Sequence, residues 1–368
     1  MQKIPFLDLP AQHAPLRAEL DAAIQKVIDK CDFIGGNAVR EFEAAFAEFC
    51  GTRYCVGVSN GTDAIFLALK ALGIGPGDEV ITVPNTFIGT SAPILRTGAG
   101  IRFVDCHPET MNIDVSKIEA AITHRTRAIV PVHLYGQPAD MATINSIARQ
   151  HDLIVVEDAA QAHGARLHGK PAGSFGRAAC FSFYPGKNLG AFGDAGAVVT
   201  DDENVAARIR SLRDAGRSSK YEHTEDGYNH RLDTLQAAVL GVKLRYLPEW
   251  NQQRRQIAAR YHELFAGQDN ITTVTEPPGY EGVYHLFVVR VPQRDAVQKK
   301  LAEAGIDTGI HYPLPLHLQP VYAGMNIARG RFPVTEAAAE RLLSLPIFPG
   351  MTDTQVEYVA AELIKAVA

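Results

Sequence analysis

The chain contains Leu153-Ile154-Val155-Val156-Glu157-Asp158-Ala159-Ala160-Gln161, a continuous apolar run that ends in two carboxylates. Continuous rather than alternating apolar residues are typical of a parallel strand that is covered on both faces. Ligands of open parallel sheets gather beyond the carboxyl ends of the strands, which is where Asp158 would lie. A buried carboxylate needs compensation, so Asp158 either meets a cation there or caps the following helix.

Six further apolar runs alternate with amphipathic segments through the first two thirds of the chain. The runs are Tyr54–Val58, Glu79–Val83, Ile101–Val104, Ala128–Val132, Ala179–Phe183 and Ala197–Thr200. The helical segments include Ala64–Leu72, Val115–Ala121 and Met141–Gln150. Repeated strand–helix units predict an α/β fold built on an open, mostly parallel sheet of seven strands.

The pattern changes near Leu235, where a long helical stretch runs to Leu264 and Pro248 predicts a break or kink. The elements predicted after it are a strand at Leu286–Val291, a helix at Asp295–Ala304, a proline-rich stretch at His311–Pro320 and a closing helix from Asp353 to Ala366. A chain of 368 residues is too long for one core. We expect a large domain of residues 1–245, with an N-terminal helical segment, and a smaller α+β domain of residues 246–368.

Composition narrows the class of protein. The formal net charge of −5, without long runs of Lys or Arg, gives no support for nucleic-acid or membrane-surface binding. The five cysteines lack the close pairs of a zinc site or a disulfide framework, so a reducing, cytoplasmic location is expected. We find no apolar stretch of signal-peptide or membrane-spanning length.

Two other stretches present chemically useful groups at strand ends. Ser59-Asn60-Gly61-Thr62-Asp63-Ala64 opens a helix whose free amides would bind an anion, although a plain capped helix has the same pattern. Phe181-Ser182-Phe183-Tyr184-Pro185-Gly186-Lys187-Asn188-Leu189-Gly190 is a strand that breaks into a Pro/Gly turn. This turn presents Lys187, and a lone loop lysine is usually a solvated surface charge.

Together the three stretches match the needs of pyridoxal phosphate. Its aldehyde needs an amine such as that of Lys187, its ring nitrogen needs a carboxylate such as that of Asp158, and its phosphate needs amides. A lysine that also moves protons needs a pKa nearer neutrality than that of a free lysine. The combination therefore predicts a pyridoxal-phosphate enzyme.

The sequence resembles the DegT/DnrJ/EryC1/StrS family of sugar aminotransferases, from Pro5-Phe6-Leu7-Asp8-Leu9 to Leu345-Pro346-Ile347. The most specific stretches are those quoted above and Gly227-Tyr228-Asn229-His230-Arg231-Leu232-Asp233. The resemblance implies the aspartate aminotransferase-like fold, known as fold type I, with pyridoxal 5'-phosphate as the cofactor.

The resemblance also implies roles around the cofactor ring. Lys187 would form the internal aldimine and then carry the proton between cofactor and substrate carbons. Asp158 would pair with the pyridinium nitrogen. Gln161 would contact the ring hydroxyl, and Phe87 would stack on the ring face. His163 would pack nearby without a chemical role.

For the phosphate, the resemblance implies Gly61, Thr62 and Ser182 from the same chain. Asn229 would reach the phosphate from the neighbouring subunit. The expected assembly is therefore a homodimer with shared active sites.

The reaction implied is amino transfer from an amino acid, by family habit glutamate, to a nucleotide-linked keto-sugar. Three parts of the chain most resemble enzymes that aminate C3 of a dTDP-3-keto-6-deoxyhexose for polysaccharide or antibiotic sugars. These are His133-Leu134-Tyr135-Gly136-Gln137-Pro138-Ala139-Asp140-Met141, Tyr184 and His311-Tyr312-Pro313-Leu314-Pro315-Leu316-His317. Amination at C4 and amination of a UDP-3-keto-uronic acid stay open.

The candidate substrate contacts are Tyr184, Lys220, Tyr221, Arg231, His311, Tyr312 and His317. Lys220 could equally be a solvated loop residue. His311 and His317 have no acidic or Cys partner at ligand spacing, so we expect no metal site there and favour sugar-contacting or structural roles.

Two competing functions use the same fold. In the sugar 3-dehydratases of this family, histidine replaces the lysine, whereas Lys187 is present here. A binding or regulatory protein would tolerate loss of Asp158 or Lys187, yet both remain.

Overall fold

The computed structural model describes residues 3–368. Its strands are β1 (Tyr54–Val58), β2 (Glu79–Thr82), β3 (Gly100–Phe103), β4 (Thr126–Ile129), β5 (Ile154–Asp158), β6 (Arg166–Leu167), β7 (Lys170–Pro171), β8 (Ala178–Ser182), β9 (Gly196–Thr200), β10 (Thr272–Thr273), β11 (Tyr280–Glu281), β12 (Phe287–Arg290) and β13 (Leu342–Leu345). Its α-helices are α1 (Leu9–His13), α2 (Arg17–Lys30), α3 (Asn37–Cys50), α4 (Gly61–Ala71), α5 (Ile88–Arg96), α6 (Ile118–Ala121), α7 (Met141–Gln150), α8 (Glu203–Arg213), α9 (Thr234–Leu244), α10 (Leu247–Phe265), α11 (Arg294–Glu303), α12 (Pro333–Arg341) and α13 (Asp353–Val367).

The main sheet has seven strands in the order β1-β9-β8-β5-β4-β2-β3. Strands β8, β5, β4, β2 and β3 pair in parallel, whereas β9 is antiparallel to both β8 and β1. Six strands therefore run in one direction and end at the same edge. This confirms the predicted α/β fold with a mostly parallel seven-stranded sheet.

Helices cover both faces of this sheet, as continuous apolar strands require. All residues of β2 and β9 are buried. One apolar cluster includes Phe66 and Leu69 of α4, and another includes Phe46 of α3 packed edge-on against Phe181 and Phe183. Full burial of side chains of this size stabilises the fold by about 1.5–3 kcal/mol each.

The C-terminal part has its own sheet and its own apolar cluster. Strand β12 pairs antiparallel with β10 and β13. The cluster combines residues between 257 and 366 with Ile4, which forms a bridge to Ile306. Pro248 lies in the first turn of α10, where a missing N–H is tolerated, so the predicted helix break lies just before it. The division into residues 1–245 and 246–368 stays a proposal.

Candidate active site

A cleft of about 830 Å³ opens where the strands of the main sheet end. Residues that follow or end five of these strands line it: Gly61, Thr86, Val132, Asp158 and Ser182. Ten of the residues predicted from sequence line this cleft: Gly61, Thr62, Phe87, Asp158, Gln161, Ser182, Tyr184, Lys187, His311 and Tyr312. Its size and mixed lining suit a small-molecule site.

Asp158 is the last residue of β5, and its carboxylate is buried in the floor of the cleft. One oxygen accepts a hydrogen bond from Thr90 Oγ at 2.7 Å, and the other accepts from the Ala160 amide at 3.1 Å. Burial raises the pKa of Asp158, although these two donors and the charge of Lys187 oppose the rise. No cationic side chain of residues 3–368 lies within ion-pair distance of this carboxylate. It is therefore a site for an added cation.

Lys187 lies in the turn after β8, and its backbone amide donates to the Tyr184 carbonyl at 2.8 Å. Burial lowers the pKa of Lys187 from 10.5 to about 8, and the charge of Asp158 opposes this shift. Within residues 3–368 the amine makes no hydrogen bond. The fraction of free amine near neutral pH is therefore far larger than for an ordinary lysine, which favours its action as a nucleophile or base.

The start of α4 forms a cradle against the end of β8. Asn60 caps the helix by accepting from the Asp63 amide at 2.8 Å. A Cβ added to Gly61 would lie 2.6 Å from the Cβ of Ser182, so only glycine permits this approach. The free amides and the dipole of a helix start favour an anion beside Gly61, Thr62 and Ser182.

The cleft is also lined by Gln161, Phe87, Tyr312 and His311. Gln161 accepts from the Tyr135 amide at 2.7 Å and donates to the Tyr312 hydroxyl at 3.3 Å. Phe87 is 56% exposed, and its ring lies 6.0 Å from that of Tyr312. His311 contacts Ser344 Oγ at 2.8 Å, and burial followed by the charge of Lys187 lowers its pKa to about 4.

His317 does not lie in the cleft, which corrects its prediction as a substrate contact. Its side chain is buried, bonds to Glu336 at 3.0 Å and packs edge-on against Phe332. His317 therefore helps to pack α12 against the segment that precedes it. Of the two roles considered for it, sugar contact or structure, this position favours the structural role.

Four other predicted residues lie outside this cleft: Lys220, Tyr221, Asn229 and Arg231. Tyr221 is 82% exposed, with the Lys220 amine over its ring at 5.2 Å. Arg231 is paired with Asp214 at 2.6 Å and faces a separate basic cavity together with Arg210, Arg213 and Arg217. These residues do not reach the cleft of their own chain.

Among the polar residues of the cleft that sequence reasoning missed are Thr90 and His285. Thr90 is the hydroxyl partner of Asp158 and is also linked to Thr86 at 2.9 Å. Only the spacing of these two threonines, one helical turn apart, could have pointed to it. His285 also lines the cleft. Its Nδ1 contacts the side chain of Asn188, the residue that follows Lys187.

His163 is buried, its ring packs against Phe181 and Phe183, and burial lowers its pKa to about 3. In the described part of the chain, no three His, Cys, Asp or Glu side chains are grouped to hold a metal ion. None of the helices within residues 3–368 has the length and apolarity needed to cross a membrane.

Sequence comparison identifies a family and close relatives. Residues 15–364 match the model of the DegT/DnrJ/EryC1/StrS aminotransferase family. The dTDP-3-amino-3,4,6-trideoxy-alpha-D-glucose transaminase of Streptomyces venezuelae is 48% identical, over 96% of this chain and 93% of its own. The UDP-2-acetamido-2-deoxy-3-oxo-D-glucuronate aminotransferase of Pseudomonas aeruginosa is 41% identical, over 98% and 99%.

Solved structures give the same answer. The crystal structure of S. venezuelae DesV in complex with a ketimine intermediate superposes with a TM-score of 0.97 at 47% identity, covering 99% of this chain and 98% of that one. The structure of NtdA from Bacillus subtilis with bound cofactor PMP gives a TM-score of 0.90 at 33% identity, covering 95% and 81%.

Proposed function

Because the chain belongs to the DegT/DnrJ/EryC1/StrS aminotransferase family, we propose that it moves an amino group from L-glutamate to C3 of a dTDP-3-keto-6-deoxyhexose. It is a pyridoxal-phosphate-dependent aminotransferase of nucleotide-linked sugars. The observation that carries the proposal is the meeting of Lys187, Asp158 and the α4 cradle in one cleft. These three parts lie on different segments of the chain, and each meets a different need of the cofactor.

The cleft residues fit pyridoxal phosphate on their own chemistry. The buried Asp158 carboxylate has no ion-pair partner in the described part of the chain, and a protonated ring nitrogen would supply one. The Gly61–Ser182 cradle, which a Cβ would fill, suits the phosphate. Lys187 offers the aldehyde carbon an amine that makes no hydrogen bond within residues 3–368. Gln161 and Phe87 would contact the ring hydroxyl and the ring face.

When bound, the cofactor supplies an aldehyde that takes up the amino nitrogen and a ring that withdraws electrons. Asp158 would keep the ring nitrogen protonated, since Thr90 and the Ala160 amide orient the carboxylate. Lys187 would hold or deliver one proton at its amine, because its lowered pKa lies near neutral pH. Tyr312 and His311 line the same cleft and would orient the substrates.

The proposed acceptor is supported by the names of the relatives as well as by the cleft. The Streptomyces venezuelae relative is named for a dTDP-linked 3-amino sugar, which favours C3 and dTDP. The P. aeruginosa relative is named for a UDP-linked 3-oxo uronate, so that acceptor is the second candidate. Amination at C4 of the sugar is the third candidate. Tyr184, which is 60% exposed at the cleft, would face the sugar.

We propose a homodimer in which Asn229 of the partner subunit completes the phosphate site. The diphosphate of the acceptor would likewise be contacted from the neighbouring subunit, by Lys220, Tyr221 and Arg231. The support is their position: all four lie outside their own cleft, and Tyr221 is exposed. Mixing Lys187→Ala subunits with Asn229→Ala subunits should then restore activity, since one site of each mixed dimer would be complete. Absence of restored activity in verified mixed dimers would contradict shared sites.

The five cysteines are free in the structure, which supports our proposal of a cytoplasmic location.

The test of the function is a transfer assay with purified holoenzyme. L-glutamate is combined with dTDP-linked 3-keto, dTDP-linked 4-keto and UDP-linked 3-keto-uronic acid sugars, and 2-oxoglutarate and aminated sugar are quantified. We expect the highest kcat/KM for the dTDP-linked 3-keto sugar and no turnover with the Lys187→Ala control. A yellow protein that aminates none of these sugars would favour the dehydratase or binding alternatives.

A further inference from the structure

We propose that His285 is a positioning residue for Lys187: when the cofactor occupies the cleft, its Nε2 accepts a hydrogen bond from this lysine whenever the amine is protonated and not bonded to the cofactor. The inference rests on the proposed function for the role of Lys187. His285 belongs to none of the sequence motifs discussed above. This role depends on which of the two ring nitrogens of His285 carries the hydrogen.

Two buried amides next to His285 have forced orientations. Asn251 Nδ2 donates to the His163 backbone carbonyl at 2.8 Å, and a carbonyl can only accept. Asn251 Oδ1 is therefore the acceptor that faces Asn188. Asn188 Nδ2 donates to this oxygen at 2.9 Å and to the Val283 carbonyl at 2.9 Å. Both N–H groups of Asn188 are thereby used.

The remaining atom of Asn188 determines the tautomer of His285. Asn188 Oδ1 lies 3.2 Å from His285 Nδ1, and an amide oxygen cannot donate. The hydrogen of the neutral imidazole therefore lies on Nδ1, and Nε2 has a free lone pair. Asn188 and Asn251 are each only 2% exposed, so water has little access to replace these contacts.

The free lone pair and the free amine share one cleft. His285 and Lys187 both line it, and within residues 3–368 neither His285 Nε2 nor the Lys187 amine makes a hydrogen bond. An unpaired acceptor and an unpaired donor that line one cleft, close enough for the charge of Lys187 to act on His285, are complementary. Since Asn188 follows Lys187 directly, the contact to Asn188 also ties His285 to the lysine turn.

Burial and the surrounding charges keep the imidazole of His285 neutral, so that its Nε2 can accept a hydrogen bond. Burial lowers its pKa well below the ordinary value of 6.5, with further lowering from Lys187, Arg254, His311 and His163. These are all cationic or basic groups, so His285 is neutral at neutral pH. A neutral imidazole can hold the protonated amine of Lys187 without competing for its charge.

Three variants separate positioning from packing. His285→Leu fills the space without an acceptor, whereas His285→Gln can donate to Asn188 and still present an oxygen. His262→Leu is the matched control, because His262 packs against Tyr284 and Phe287 outside the cleft.

The first measurement is the tautomer itself, read without turnover. The protein is labelled with ¹⁵N-histidine, and the His285 signal is assigned by its loss in His285→Leu. We expect a protonated Nδ1 and an unprotonated Nε2 in both the cofactor-free and the cofactor-loaded protein. A hydrogen on Nε2 in the cofactor-free protein would overturn the proposal.

The second measurement is the single-turnover half-reaction with an amino acid carrying deuterium at Cα. His285→Leu should slow proton transfer by about ten- to a hundredfold and raise the isotope effect. His285→Gln should recover most of the rate, and cofactor affinity should change by no more than about twofold. The proposal would be overturned if His285→Leu left the rate and the isotope effect unchanged, or if it lowered cofactor affinity in parallel with the rate. If the wild type uses a donor other than glutamate, the same measurement is made with that donor, so the two proposals fail separately.

Discussion

Lys243 of α9 is a buried cation whose replacement should stabilise the protein in acid. It is 1% exposed, and no carboxylate within residues 3–368 lies within ion-pair distance of its amine. Instead the amine donates to the Gly190 carbonyl, contacts His13 Nε2 at 2.8 Å and lies over the Phe192 ring at 5.4 Å. Burial alone lowers the pKa of Lys243 from 10.5 to about 7.

The size of the effect follows from that pKa. A fall from 10.5 to about 7 corresponds to roughly 5 kcal/mol of lost stability when the lysine is charged, at about 1.36 kcal/mol for each pKa unit. Lys243→Met removes this cost but leaves the Gly190 carbonyl without its donor, which costs about 1–3 kcal/mol. Below pH 7 the variant should therefore be more stable by about 2–4 kcal/mol.

The sign of the pH dependence is fixed by the direction of the shift. Below pH 7 both folded and unfolded chains hold the proton, so the full cost of the buried charge is present. Above pH 7 the folded protein releases the proton that the unfolded chain keeps up to about pH 10.5, so wild-type stability rises relative to Lys243→Met. The gap between the two proteins should shrink by about 3 kcal/mol between pH 6.5 and pH 9.5.

The assay is urea unfolding of both proteins at these two pH values, with exposed Lys26→Met as the control. A gap that does not change with pH, or a Lys243→Met variant that is less stable at both values, would refute the reasoning. Because Gly190 closes the turn that carries Lys187, kcat should fall although stability rises. If kcat and stability of Lys243→Met fell together, Lys243 would only support the fold.

Three further substitutions test the cleft. Lys187→Ala should abolish amino transfer and leave the melting temperature nearly unchanged, as measured by transfer assay and circular dichroism. Asp158→Asn should lower kcat on the order of a hundredfold because the ring nitrogen loses its charged partner, measured by steady-state kinetics with cofactor content checked by absorbance. Gly61→Ala would place a Cβ 2.6 Å from that of Ser182, so it should cost about 1–3 kcal/mol and weaken cofactor binding. Gly241→Ala, where a Cβ meets nothing within 4 Å, is its control in cofactor titration; equal affinities of the two variants would contradict the cradle.

Much of the fold was accessible from sequence because burial on two faces leaves a local signal. Each of the seven predicted apolar runs coincides with a strand of the main sheet. The two-residue strands β6, β7, β10 and β11 were not predicted, since two residues carry no periodicity. The family, the aminotransferase class and the cofactor are confirmed by the comparisons.

The cleft was predictable only where a residue sits in a motif. Asp158 and Lys187 each end or follow a strand, so their positions at one edge follow from topology. His317 was predicted from its neighbours in the chain, but its partner Glu336 lies on another helix, and tertiary packing decided its place. Thr90 was missed because its bond to Asp158 spans distant segments. The individual cofactor and substrate roles, and the domain boundary, stay predictions.

The two central ionisable groups of the cleft are displaced in opposite directions by the same cause. Burial raises the pKa of Asp158 and lowers that of Lys187, so both are pushed towards their neutral forms. Each charge partly offsets the shift of the other, but no direct ion pair joins them. A cationic ring between them would restore the charge of Asp158 without protonating Lys187. The arrangement therefore places a carboxylate for the cofactor and an amine that loses its proton more readily than a free lysine in one cleft, whereas a direct salt bridge would hold the proton on the amine.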